Sequence, residues 1–80
     1  MIAIRVTSEL WGTNILPQGI LQAWLRPDGA LVQAGDPIAS VQIEDALHEL
    51  LAPARGRLRT GSRANSIIEP GSVIGHLTAS

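Results

Sequence analysis

Apolar residues in this 80-residue chain come in short runs, and Gly, Pro, Asp or Asn breaks each run before a long helix could form. Ile2 to Val6 alternates weakly and reads as an edge strand, and Thr7 to Gln18 reads as a long loop. Gly19 to Leu25 gives a strand that Pro27-Asp28-Gly29 stops. That tripeptide is turn chemistry: Pro fixes φ, Asp bonds back to the backbone, and Gly accepts positive φ. Leu31-Val32 and Ile38 to Val41 flank a second such turn at Gly35-Asp36-Pro37. Leu47 to Leu51, Gly56 to Arg59, Ile67-Ile68 and Val73 to Leu77 complete the series. About eight short strands at this spacing predict an all-β domain, a small sandwich or barrel.

One segment conflicts with that pattern. Ile43, Ala46, Leu47 and Leu50 recur at helical spacing, and Ala, Leu and Glu are strong helix formers. Local propensity alone therefore predicts a helix over Gln42 to Leu51. An internal repeat overrides it. Gly35 to Val41 matches Gly71 to Leu77 at an offset of 36 residues, and Leu31-Val32 then falls on Ile67-Ile68 and Pro17 on Pro53. Gly19 matches Gly56 if one residue is removed from the second copy. Asn65 stands where the first copy has Gly29, and Asn is the non-glycine residue best suited to left-handed backbone. Two similar halves imply quasi-twofold symmetry, which makes the segment between them an exposed hairpin.

Composition bounds the rest. Residues 1–80 make one small domain, which buries about 60% of its unfolded surface. Its apolar residues are aliphatic apart from two Trp, and it has no Cys, so neither a disulfide nor a thiolate–zinc site supports the core. Trp24, Ile38, Val41, Leu58 and Ile74 are the expected core. Residues 1–5 lack the apolar run of a signal peptide, and no stretch approaches ~18 apolar residues. A cytoplasmic protein that binds no membrane is expected. The net charge of −1 gives no electrostatic bias toward nucleic acid.

Catalytic chemistry finds little support. There is no Cys, and the hydroxyl residues lack a His–acid pair at a triad spacing, so no catalytic residue is assigned. Glu44, Asp45 and His48 are near in sequence, but His48 falls several residues from the turn, opposite Val41, so no metal site is expected. His76 is structural. No glycine cluster forms a phosphate loop. Arg55, Arg57 and Arg59 alternate and so share a strand face, with Arg63 nearby. They read as a solvated outer face or as a docking stripe for a carboxylate or phosphate.

The ordered set Gly19, Trp24, Gly29, Gly35-Asp36, Ile38-Ala39, Val41, Glu44, Ala46, Glu49, Ala52-Pro53, Gly56 and Leu58 resembles the lipoyl and biotinyl attachment domain family. The resemblance runs from Ile2 to Leu77 and is nearer the lipoyl branch, since the methionines that flank the biotinyl lysine are absent. It implies a flattened barrel of two four-stranded antiparallel sheets, with a modified lysine at a hairpin tip. Glu44 and Ala46 match the acidic residue and alanine that flank that lysine. Asp45 takes the lysine's place, and the chain has six Arg and no Lys. An amide-linked cofactor needs a primary amine, which neither a carboxylate nor a guanidinium supplies. No lipoyl or biotin cofactor is therefore expected. The Thr7 to Gln18 loop is about three residues longer than the family's usual one, which helps partner enzymes recognise the domain. It contains Leu10 and Trp11, which read either as core or as a partner-binding anchor.

These residues predict a non-catalytic protein-interaction module associated with a 2-oxo acid dehydrogenase or a related acyl- or carboxyl-transfer complex. The implied partners are its dehydrogenase, acyltransferase or carboxylase components. Two other readings stand beside it: a carrier-type subunit within the acyl-transfer cycle, and an anion-binding module that uses the arginine face.

Overall fold

Eight strands and no helix make up the regular structure of the described residues, 1–7 and 18–79, in a computed structural model. The strands are β1 (Ile2–Arg5), β2 (Gly19–Trp24), β3 (Leu31–Val32), β4 (Pro37–Ile43), β5 (Ala46–Leu51), β6 (Gly56–Thr60), β7 (Ser66–Ile68) and β8 (Val73–Thr78). They form two four-stranded antiparallel sheets, ordered β1-β8-β6-β3 and β5-β4-β2-β7. This is the expected flattened barrel-sandwich.

The sequence repeat is a structural one. Exchanging β1 with β5, β2 with β6, β3 with β7 and β4 with β8 converts one strand order into the other. Each half thus places two strands in each sheet. Individual hydrogen bonds repeat with the strands. Gly35 N donates to Ala52 O at 2.9 Å, and Gly71 N donates to Val6 O at 2.7 Å. Asp36 Oδ2 accepts from Gln33 N at 2.9 Å, and Ser72 Oγ accepts from Glu69 N at the same distance. Leu25 N reaches Ile38 O, and Gly61 N reaches Ile74 O.

The turn chemistry explains why the repeat is visible in sequence. Gly35 and Gly71 have φ of 89° and 88°, where a Cβ is strained. Where the halves differ in length, the ladders absorb the difference. The first half has one extra residue between Leu21 and Leu25, and the β2–β4 register slips between Leu21 and Ala23. Matched irregularities leave Ile38 and Ile74 without direct partners on β5 and β1, and both are buried. A bulge of this kind bends the strand and increases its twist, which helps a sheet curl toward closure.

The core lies between the sheets. It includes Ile4, Val6, Leu21, Val32, Ile38, Ala39, Val41, Ile43, Leu50, Leu58, Ile68, Ile74 and Leu77. Four of the five expected core residues, Ile38, Val41, Leu58 and Ile74, are fully buried. Trp24, the fifth, is partly buried and packs against the rim of the core. The indole is amphipathic, and its Nε1–H donates to Ser62 O at 2.8 Å, which holds the ring at the barrel's end.

Candidate functional site

The repeat is joined through the β4–β5 hairpin. β4 is a central strand, paired to β2 on one side and to β5 on the other, and its Val41 and Ile43 point into the core. The helical pattern over Gln42 to Leu51 therefore yields to the hairpin. Strand alternation splits the apolar residues of β5: Leu50 faces the core, whereas Leu47 and Leu51 face outward, 60% and 55% exposed. Tertiary pairing of a strand-forming neighbour outweighs local propensity worth only tenths of a kcal/mol per residue.

Ile43 and Ala46 close the hairpin, so Glu44 and Asp45 form a two-residue turn. Such turns need positive φ at the first central residue, and Glu44 supplies it at 53°. The Gln42 side chain steadies the loop, its Nε2 donating to Glu44 O at 3.2 Å. Glu44, Asp45, Ala46 and Leu47 are all exposed. The tip thus offers two adjacent carboxylates and no amine.

His48 faces Val41 across the ladder, as the spacing predicts, and lies on the inner side of β5 away from the tip carboxylates. Among the described residues no group of three or more His, Asp or Glu side chains is placed to hold a metal ion.

Outside the tip, the exposed face of the β5-β4-β2-β7 sheet carries a row that the sequence did not suggest. Ile67, Ile20, Gln42 and Leu47 stand side by side across all four strands, and the three apolar members are exposed. Only the pairing register reveals this row, since its members come from four separate segments.

The arginines lie on the other sheet. Arg57 and Arg59 are on the outer face of β6, and Arg55 is exposed just before the strand begins. Arg57 Nη1 donates to Gly29 O at 2.8 Å, and Arg59 Nη1 lies 3.8 Å from Asp28 Oδ2. Asp28 Oδ1 also accepts from Thr60 N at 2.9 Å. Arg57 and the Thr60–Asp28 bond therefore hold the β2–β3 turn against β6, while Arg59 only faces Asp28 at the surface. Leu10 and Trp11 lie outside the described residues, as does most of the Thr7 to Gln18 loop.

Among the described residues no helix is long and apolar enough to cross a membrane. No family model matches the sequence, and no curated protein matches it. Among solved structures, the chain is similar to the lipoyl domain of the 2-oxoglutarate dehydrogenase complex from Azotobacter vinelandii, determined in solution. The two superpose with a TM-score of 0.73 over 95% of this chain and 96% of that one, at 21% identity. The chain has the lipoyl-domain fold.

Proposed function

We propose that this chain is a lipoyl-type domain without an acceptor, acting as a non-catalytic protein-interaction module. One observation carries the reading. In a chain of lipoyl-domain fold, the exposed two-residue hairpin turn that joins the halves holds Glu44 and Asp45, and the chain has no lysine. The motif resemblance puts Asp45 at the position of the modified lysine. An acyl or carboxyl group has no side-chain amine to ride on, so what the fold retains is its surface. The partners this reading implies are components of a 2-oxo acid dehydrogenase or a related acyl- or carboxyl-transfer assembly.

The arginine face supports the anion-binding alternative less well. Arg57 already donates to a backbone carbonyl, and Arg59 already faces Asp28.

Two measurements test the reading. The wild-type chain co-expressed with a lipoyl ligase should show no added mass by intact-mass spectrometry, and Asp45→Lys should gain one lipoyl group. A tagged chain at native abundance should co-purify with dehydrogenase, acyltransferase or carboxylase subunits. A lipoylated wild-type chain would overturn the absence of an acceptor. A chain that elutes alone would overturn the interaction role.

A further inference from the structure

β1 and β5 are each the last strand of their sheet, and a cleft of about 340 Å³ lies between them. Ala3, Ile4 and Arg5 line one wall, and Glu49, Leu50 and Leu51 line the other. These are the quasi-twofold counterparts of one another, and Thr7 and Pro53 continue the two walls as a further pair. The cleft therefore lies on the symmetry axis, with the same strand edge presented from both sides.

The direction of the backbone groups follows from bonds at the strand ends. Val6 N donates to Ser72 O, and Val6 O accepts from Gly71 N, so the Val6 backbone faces the β8 side. Backbone groups alternate along a strand, so Ile4 also faces β8, while Ala3 and Arg5 turn theirs toward the cleft. On the other wall Ala52 N donates to Asp36 O and Ala52 O accepts from Gly35 N, which turns Ala52 toward the β4 side. The closing pair Ile43–Ala46 gives the same phase from the opposite end of β5. Leu50 and His48 then face β4, and Glu49 and Leu51 face the cleft. Among the described residues no backbone bond joins β1 to β5. Ile4 and Leu50, both buried, form an apolar floor.

We infer that this cleft binds an extended peptide segment of a partner protein, which adds as a strand at the edge of β5. The walls present N–H and C=O groups at every second residue, a spacing matched by another extended backbone. A binder with apolar side chains at alternate positions would set them over Ile4 and Leu50 and turn its polar side chains to water. A second folded copy of this chain fits poorly: its β3 and β7 edges are only two and three residues long, and its own β1 and β5 edges already form the walls of its own cleft. Each wall carries a single charged side chain, Arg5 or Glu49, and no proline interrupts either strand, since Pro53 lies beyond the end of β5. The cleft is separate from the Glu44–Asp45 turn, so it is tested independently of the tip.

The test uses a phage-displayed library of random ten-residue peptides, selected on the whole chain, with amide mapping by NMR of the labelled protein. In the free chain the amides of Ala3, Arg5, Glu49 and Leu51 should exchange faster than those of Ile4 and Leu50. A selected synthetic peptide should protect the Glu49 and Leu51 amides and leave Glu44 and Asp45 unshifted. N-methylation of that peptide at alternate residues should weaken binding about tenfold per site, and methylation at the intervening residues should not. Leu51→Pro removes a donor that faces the cleft and spares the β4 ladder, so it should also weaken binding about tenfold while the fold survives. The N-methylation series decides the matter if that variant fails to fold. Slow exchange at all four amides in the free chain would overturn the inference. So would selection of no peptide, binding that maps elsewhere, or insensitivity to N-methylation.

Discussion

Gly29 and Asn65 occupy the same place in the two halves, with φ of 90° and 72°, and each donates its amide to a buried leucine of a neighbouring strand. Gly29 N reaches Leu58 O at 2.7 Å, and Asn65 N reaches Leu21 O at 2.6 Å. Left-handed backbone costs a residue with a Cβ about 1–2 kcal/mol, less for Asn. Asn65→Gly should be neutral to slightly stabilising, and Asn65→Ala should cost about 1 kcal/mol. Thermal melting followed by circular dichroism checks it, since 1 kcal/mol moves the midpoint of so small a domain by roughly 4–8 °C. Equal melting of the two variants would contradict the strain argument.

Close backbone approach gives a second, independent glycine prediction. A Cβ on Gly19 would lie 2.9 Å from Gln42 O, and one on Gly56 would lie 2.6 Å from Thr78 O. Both contacts are with backbone, which cannot swing away. Each Ala substitution should cost about 1–3 kcal/mol, with Gly56→Ala the worse of the pair. Urea denaturation of both variants gives the order, and the reverse order would count against the geometry.

Trp24 should behave as a rim residue with a polar handle. Trp24→Phe keeps most of the apolar contact and loses the bond to Ser62 O, a loss of about 0.5–1.5 kcal/mol. Trp24→Ala should cost about 2–4 kcal/mol, below the usual range for a fully buried Trp. Equal effects of the two changes would mean that the indole N–H contributes the whole of the residue's stabilisation.

The turn itself should tolerate change. Asp45→Lys is expected to alter stability by less than about 0.5 kcal/mol, because its side chain is exposed. Glu44→Gly should raise stability by up to about 1 kcal/mol, since Gly accepts the positive φ that Glu44 carries at some cost. Equilibrium unfolding of the two variants beside wild type is the check. A destabilised Glu44→Gly would show that its side chain makes a contact that outweighs the strain.

The Asp28–Arg59 pair should contribute almost nothing. Its two side chains are both more than half exposed and their closest atoms are 3.8 Å apart. Arg59→Gln should change stability by less than about 0.5 kcal/mol, and added salt should not change that difference. Arg57→Gln should cost more than Arg59→Gln because it removes a 2.8 Å bond to Gly29 O. A larger loss for Arg59→Gln would mean that the ion pair, and not the carbonyl bond, anchors the turn.

The features legible in sequence were those that local chemistry writes twice. Gly35 and Gly71 revealed the repeat because only glycine accepts their backbone cheaply, and the repeat then placed the hairpin against the helical propensity of Ile43 to Leu50. What stayed hidden depends on register. Leu47 and Leu50 are equally apolar, yet one faces water and the other the core, and only the pairing with Gln42 and Ala39 decides which. Arg57 and Arg59 looked like a free stripe because their partners, Gly29 and Asp28, come from a distant turn. Trp24 packs on the core yet stops at its rim, because its N–H requires a carbonyl there, and no local pattern points to Ser62 O.

The exchange of strands between halves has one more consequence. Each half contributes one two-stranded ladder, β2–β4 or β6–β8, to a sheet that strands of the other half complete, so neither buries its apolar face alone. In effect the molecule is a covalent dimer of two short, unequal protomers, and the Glu44–Asp45 turn is the suture between them. Every strand in such an object answers to a counterpart, whereas the suture occurs once and has none. Symmetry therefore places no constraint on the residues at that turn, and an aspartate can stand there without asking anything of the fold.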